Sequence, residues 1–123
     1  MQKNTLFWLR NITNCTLKRG YMKTIYISGK ITGTDDYVSR FSLAEQKLKE
    51  RGFKVLNPVR EGKRLERYLA PEVPTWGQYM NQAIKAMMSA DYIFMMKGYK
   101  ESKGARLELL IAKVLKFNII YEQ

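Results

Sequence analysis

Two hydrophobic periods alternate along this chain. Lys23-Thr24-Ile25-Tyr26-Ile27 is a short β-branched and aromatic run that reads as a strand. Ser28-Gly29-Lys30-Ile31-Thr32-Gly33 follows as a glycine-flanked turn. Tyr37, Phe41, Ala44 and Leu48 then recur at spacings of four, three and four, the stripe of an amphipathic helix. Asp35 or Asp36 is placed to cap its start and Gly52 to end it. Phe53-Lys54-Val55-Leu56 reads as a second strand, stopped at Asn57-Pro58. Residues 57–74 carry Pro58, Pro71 and Pro74 and read as a mobile flap, with a short helix around Arg64–Leu69. Thr75 caps a helix whose predicted buried stripe is Trp76, Met80, Ala83, Ile84, Met87 and Met88. Asp91 leads into a third strand, Tyr92-Ile93-Phe94-Met95-Met96. A last helix over about Gly104–Lys116 shows a stripe of Leu107, Leu110, Ile111 and Val114, and Asn118-Ile119-Ile120-Tyr121 closes the pattern as a fourth strand.

Strands that alternate with helices in this way predict an α/β domain with a parallel sheet of about four strands. Residues 1–21 do not share the pattern and read as a flexible N-terminal extension, so the domain is expected to span residues 22–123. No apolar run reaches the length of a membrane span, and no secretory signal is recognisable. The single cysteine, Cys15, forms no intrachain disulfide, in keeping with a cytoplasmic setting.

Charge changes the picture of partners. The chain has 22 basic and 11 acidic residues, a net charge of +11. Lys3, Arg10, Lys18 and Arg19 lie in the first 21 residues, and the remainder still carries +7. Such a balance favours anionic partners such as nucleotides, phosphates or nucleic acid. Histidine is absent and Cys15 lies outside the predicted domain, which excludes the usual serine–histidine and cysteine–histidine catalysis and histidine-based metal sites. An enzyme built from this chain must use a carboxylate, lysine, tyrosine or serine.

In a parallel sheet the loops after the strands emerge at one edge, where ligands bind. Three such loops converge: Ser28–Gly33, Asn57-Pro58, and Gly98–Gly104. Gly29 and Gly33 suit close backbone approach to a ligand, or simply a tight turn. Ser102 and Gly104 open the last helix, whose first amides and dipole favour a phosphate; an ordinary N-cap is the common alternative. Glu108 lies on the second turn, beside the predicted apolar stripe. By itself it reads as solvated; near a helix N-terminus it is expected to stay ionised, as attack on a sugar anomeric carbon requires.

Set in order, these pieces resemble the nucleoside 2-deoxyribosyltransferase-like family, which includes the 2′-deoxynucleoside 5′-phosphate N-hydrolases. The matching segments are Ile25–Gly33, Asn57-Pro58, Thr75-Trp76 with Tyr79-Met80, Ala90-Asp91, and Ser102-x-Gly104-x-x-x-Glu108 followed by Ala112. The resemblance implies a small Rossmann-like (flavodoxin-like) three-layer domain. It also implies N-glycosidic-bond cleavage or base exchange on a 2′-deoxynucleoside or 2′-deoxynucleotide. By the same resemblance Glu108 is the nucleophile and Asp91 an orienting or capping acid. Ser28, Gly29, Lys30, Ile31, Gly33, Asn57, Ser102 and Gly104 are the substrate-binding set. The implied partner is a small-molecule nucleoside or nucleotide, with no cofactor, no metal and no membrane, in a homodimer or higher homo-oligomer.

Two departures stand out. Lys30 and Thr32 occupy first-loop places where the hydrolases carry serine and arginine, and Lys30 is expected to replace the phosphate contact. Met96 stands where the family often has an acid that helps the base leave. These departures keep open a second reading, a nucleotide-binding or sensing module without turnover. Nucleic-acid binding is a third reading from charge alone, ranked last because no nucleic-acid motif is present.

Overall fold

A computed structural model describes residues 22–123. The expected extension over residues 1–21, with Cys15, lies outside the described residues. Within them the order is β1 (Thr24–Ser28), α1 (Tyr37–Glu50), β2 (Lys54–Leu56), α2 (Pro58–Leu69), α3 (Trp76–Met88), β3 (Tyr92–Met95), a 3₁₀ turn at Tyr99–Glu101, α4 (Lys103–Val114) and β4 (Asn118–Tyr121). All pairings are parallel and the sheet order is β2-β1-β3-β4. This is the α/β domain with a four-stranded parallel sheet that the alternation predicts, in the small Rossmann-like form that the resemblance implies. No helix among the described residues is long and apolar enough to cross a membrane.

The period of two along β1 sorts its side chains between two cores. Ile25 and Ile27 pack against Phe41, Ala44 and Leu48 of α1, joined by Phe53, Val55 and Met96. Tyr26 faces the other way, with Ile93 and Met95, onto Met87 of α3 and Ala105, Leu109 and Ala112 of α4. Three layers result: α1, the sheet, and α3 with α4. Because β1 connects to β2 on one side and pairs with β3 on the other, the crevice between β1 and β3 opens at their carboxyl ends.

Several local expectations change. The α1 stripe is as predicted, but Asp36 makes no side-chain cap. Its carboxylate instead accepts from Arg40 Nε at 3.0 Å. The flap is an ordered helix: Asn57 Oδ1 accepts from the Val59 amide at 3.0 Å and Pro58 fills the first turn, where its missing N–H costs nothing. No residue of α2 is buried, so no core-facing stripe announces it. On α3 only Met87 is buried, and Trp76 and Met88 are exposed.

The largest correction concerns α4. Leu110 and Val114 are 59% and 70% exposed, while Ala105, Glu108, Leu109 and Ala112 face the sheet. Gly104 and Ala105 allow this rotation. A Cβ on Gly104 would meet Met80 Sδ at 3.0 Å, so the small face of α4 is the one that nests against α3 and the sheet. The helix therefore turns Leu110 and Val114 outward and Glu108 inward, while Ile111 of the predicted stripe still packs on the core.

Candidate active site

Tyr26 and Ser28 share one face of β1, two residues apart, and that face looks onto α4. Glu108 reaches down to meet them. Ser28 Oγ donates to Glu108 Oε1 at 2.5 Å, and Tyr26 Oη donates to Glu108 Oε2 at 2.7 Å. Each carboxylate oxygen thus has one neutral hydroxyl donor. Glu108 is only 5% exposed, and Tyr26 and Ser28 are fully buried. The solvated glutamate of the local reading is instead the most enclosed acid in the cleft.

Burial governs the protonation chemistry of this trio. Loss of solvent pushes the Glu108 carboxyl above the ordinary carboxylate value, and the bonds from Ser28 and Tyr26 pull it part of the way back. The expectation that a helix N-terminus alone keeps it ionised omitted this desolvation. Tyr26 is held well above the ordinary phenol value, chiefly by burial, then by the Glu108 charge and its hydrogen bond, with a smaller contribution from Glu61. It therefore stays a hydroxyl donor.

Tyr26 and Glu108 form part of the floor of a cleft of about 870 Å³, with Ser28 buried behind Glu108. Gly29, Lys30, Ile31 and Thr32 from the loop after β1 line it, as do Ser102, Lys103, Gly104 and Ala105 at the start of α4. The opposite wall is α2 and α3, through Pro58, Val59, Glu61, Gly62, Lys63, Glu66, Trp76, Tyr79 and Met80. That volume lies within the range of small-molecule sites. Lys103 Nζ sits 4.4 Å from the centre of the Trp76 ring, joining α4 to α3 across one end. Tyr79 Oη donates to Glu66 Oε2 at 2.8 Å and ties α3 to α2. Among the described residues, no cluster of three or more histidine, cysteine, aspartate or glutamate side chains gathers to hold a metal.

Of the predicted site residues, the structure brings together Glu108, Ser28, Gly29, Lys30, Ile31, Ser102 and Gly104 at this edge. Ser102 Oγ also caps α4 by accepting from the Ala105 amide at 3.1 Å. Three predicted residues lie elsewhere. Gly33 is an exposed turn residue with φ +81°, so its glycine serves the turn and does not line the cleft. Asn57 is buried on the far side, where it caps α2 and donates to Glu45 Oε1 at 2.9 Å. Asp91 begins β3 and therefore occupies the amino-terminal edge of the sheet, opposite the cleft. Its Oδ2 accepts from the Thr24 amide at 2.9 Å, which is a capping contact and not a catalytic one.

Met96 is a core residue. Its amide donates to the Ser28 carbonyl at 2.8 Å, and its side chain lies beneath Gly29. A Cβ on Gly29 would come within 3.1 Å of Met96 Cβ and Sδ, so the glycine lets the first loop lie flat on the sheet. Sequence reasoning missed Tyr26, Glu61 and the Tyr79–Glu66 pair. The signal for Tyr26 was present as a polar-tipped aromatic two residues before Ser28 on the same strand face. Glu61 carried none once the first turns of α2 were read as a loop, and Glu66, within the expected short helix, gave no sign of its partner.

A family model matches residues 23–121, under the description domain of unknown function (DUF4406). The curated proteins contain no match to the chain.

Proposed function

Since the chain belongs to that family of unknown function, membership brings no activity with it, and we propose from the cleft itself that the protein cleaves or exchanges the N-glycosidic bond of a 2′-deoxynucleoside or 2′-deoxynucleotide. The observation that carries this reading is the buried Glu108, held on both oxygens by neutral hydroxyls at the floor of an open cleft. A structural carboxylate would be expected to pair with a cation; this one has hydroxyl partners and faces the space where a ligand fits. Its oxygen attacks C1′ as the bond to the base breaks, and the resulting ester is released by water or by a second base. Tyr26 and Ser28 fix the direction of that oxygen. Lys30 and Lys103 lie at the cleft mouth with the first amides of α4, where the 5′ end of the sugar or its phosphate would sit. The overall resemblance to nucleoside 2-deoxyribosyltransferase-like enzymes supports the same chemistry, and with it a cytoplasmic, self-associating enzyme.

The test is chromatography of deoxynucleosides and deoxynucleoside 5′-phosphates incubated with the wild type and with Glu108→Ala. Free base from the wild type only is the expected result. Absence of base release or exchange at high enzyme concentration would reject the reading.

One observation favours a second reading, nucleotide binding without turnover. Met96 brings no acid to the cleft end of β3, because it is buried under Gly29. Stabilisation of the fold by a nucleotide, without any product, would select this alternative.

A further inference from the structure

The cleft that holds Tyr26 and Glu108 is lined by a further carboxylate whose role the first step leaves unassigned. Glu61 lies in the first turn of α2 and lines the same space as Glu108. Its charge is felt at Tyr26, whose hydroxyl is 2.7 Å from Glu108. Arg64 Nη1 donates to its Oε2 at 2.8 Å.

The turn that bears Glu61 is fixed from behind. Asn57 and Arg60 both bond to Glu45 of α1, with Arg60 Nη2 at 2.9 and 2.8 Å from its two oxygens. Asn57 also caps the helix. Residues 57 and 60 thus anchor α2 to α1, while residue 61 turns towards the cleft. Anchored elements hold reacting groups more closely than loops do.

We infer that Glu61 is the general base of the second half of the proposed reaction, activating the water that releases the sugar from Glu108. This role rests on the proposed function. In the first step the C1′–N bond breaks, its electron pair leaves with the base, which takes a proton from solvent, and a C1′–O bond forms to Glu108. In the second, a water oxygen bonds to C1′ while Glu61 takes the water proton. The C1′–O bond to Glu108 breaks and its electron pair returns to the carboxylate. Glu61 then gives the proton to solvent. The sum is nucleoside plus water giving free base plus deoxyribose, so the assignment makes the protein a hydrolase in the absence of an acceptor base. Enzymes that work through a glycosyl ester divide labour between two carboxylates in this way.

The experiment compares the wild type with Glu61→Gln, using a purine 2′-deoxynucleoside. The variant is expected to release a burst of base equal to the enzyme, followed by turnover roughly a hundredfold slower. Intact-mass analysis should show the deoxyribosyl adduct accumulating in the variant. Sodium azide, an anion that needs no deprotonation, should restore turnover and yield deoxyribosyl azide. A Glu61→Gln enzyme that slows without burst, adduct or azide rescue would overturn the assignment and leave Glu61 a structural residue. A variant that hydrolyses at the wild-type rate would overturn it as well. If the wild type itself releases no base, the underlying reaction fails, and this role with it.

Discussion

The protein buries two glutamates in opposite ways. Glu45, on α1, is 7% exposed and surrounded by Lys49, Asn57 and Arg60. Burial pushes its carboxyl up, but the bonds from those three residues outweigh it and bring it down to about 2. Glu108, on α4, is as buried but meets only the hydroxyls of Tyr26 and Ser28, and burial leaves it above the ordinary value. One carboxylate is neutralised by cations and joins α1 to α2; the other is stored uncompensated at the floor of a cleft. Burial alone therefore does not distinguish a structural acid from a reactive one. In the proposed reading, the charge of the partners does.

The largest effect that sharpens this contrast is on activity. Glu108→Gln is expected to lower base release by at least about a thousandfold, as loss of a nucleophile does, while leaving the fold equally stable or more so. Chromatography and thermal unfolding of the same sample check both halves. Tyr26→Phe removes a hydrogen bond to a charged oxygen, worth about 1.5–3 kcal/mol. It should cut activity roughly ten- to a hundredfold, and the Glu108 pKa should rise further. The pH–rate profile of the variant against the wild type reads both.

Glu45→Gln acts on the fold instead. It weakens the junction of α1 with α2 by on the order of 2 kcal/mol, after allowing for the half-exposed Arg60 and Lys49. A lower urea midpoint with an unchanged slope is the expected signature. The two acids should also differ in the sign of their pH dependence. Stability from Glu45 is complete above its unfolded value of about 4.5 and is lost as pH falls towards about 2. For Glu108 the folded value is the higher one, so stability falls as pH rises from the unfolded value through the folded one. Unfolding free energies of wild type, Glu45→Gln and Glu108→Gln across the acid range should therefore diverge in opposite directions. Smallest of all is Gly104→Ala. The new methyl meets only the flexible Met80 thioether at 3.0 Å, so a loss of about 1 kcal/mol is expected.

How much of this was legible in the chain depends on which neighbours each segment meets. The α1 stripe and the four strands could be read because each packs on the sheet by a simple period. Of the α2 helix only the part around Arg64–Leu69 could, since its exposed faces serve the cleft, α1 and α3 and bury no apolar residue. Its Asn57-Pro58 cap was the remaining clue. On α4 Leu110 and Val114 of the expected stripe point outward and only Ile111 packs on the core, because Gly104 and Ala105 allow the small face to approach Met80 and the sheet. That single rotation converts Glu108 from a surface residue into the centre of the site. Asp91 and Asn57 were grouped with the site by sequence resemblance, yet one lies at the opposite sheet edge and the other behind α2.

The central claim is that the uncompensated Glu108 attacks C1′. A 2′-fluoro-arabino analogue of a deoxynucleoside slows loss of the sugar from the enzyme, because the fluorine destabilises an oxocarbenium-like transition state. Incubation with such a probe, followed by proteolysis and peptide mass mapping, should place the sugar on the peptide containing Glu108 and on no other. Attachment to a different residue, or base release from the probe by the Glu108→Gln variant at the wild-type rate, would contradict it.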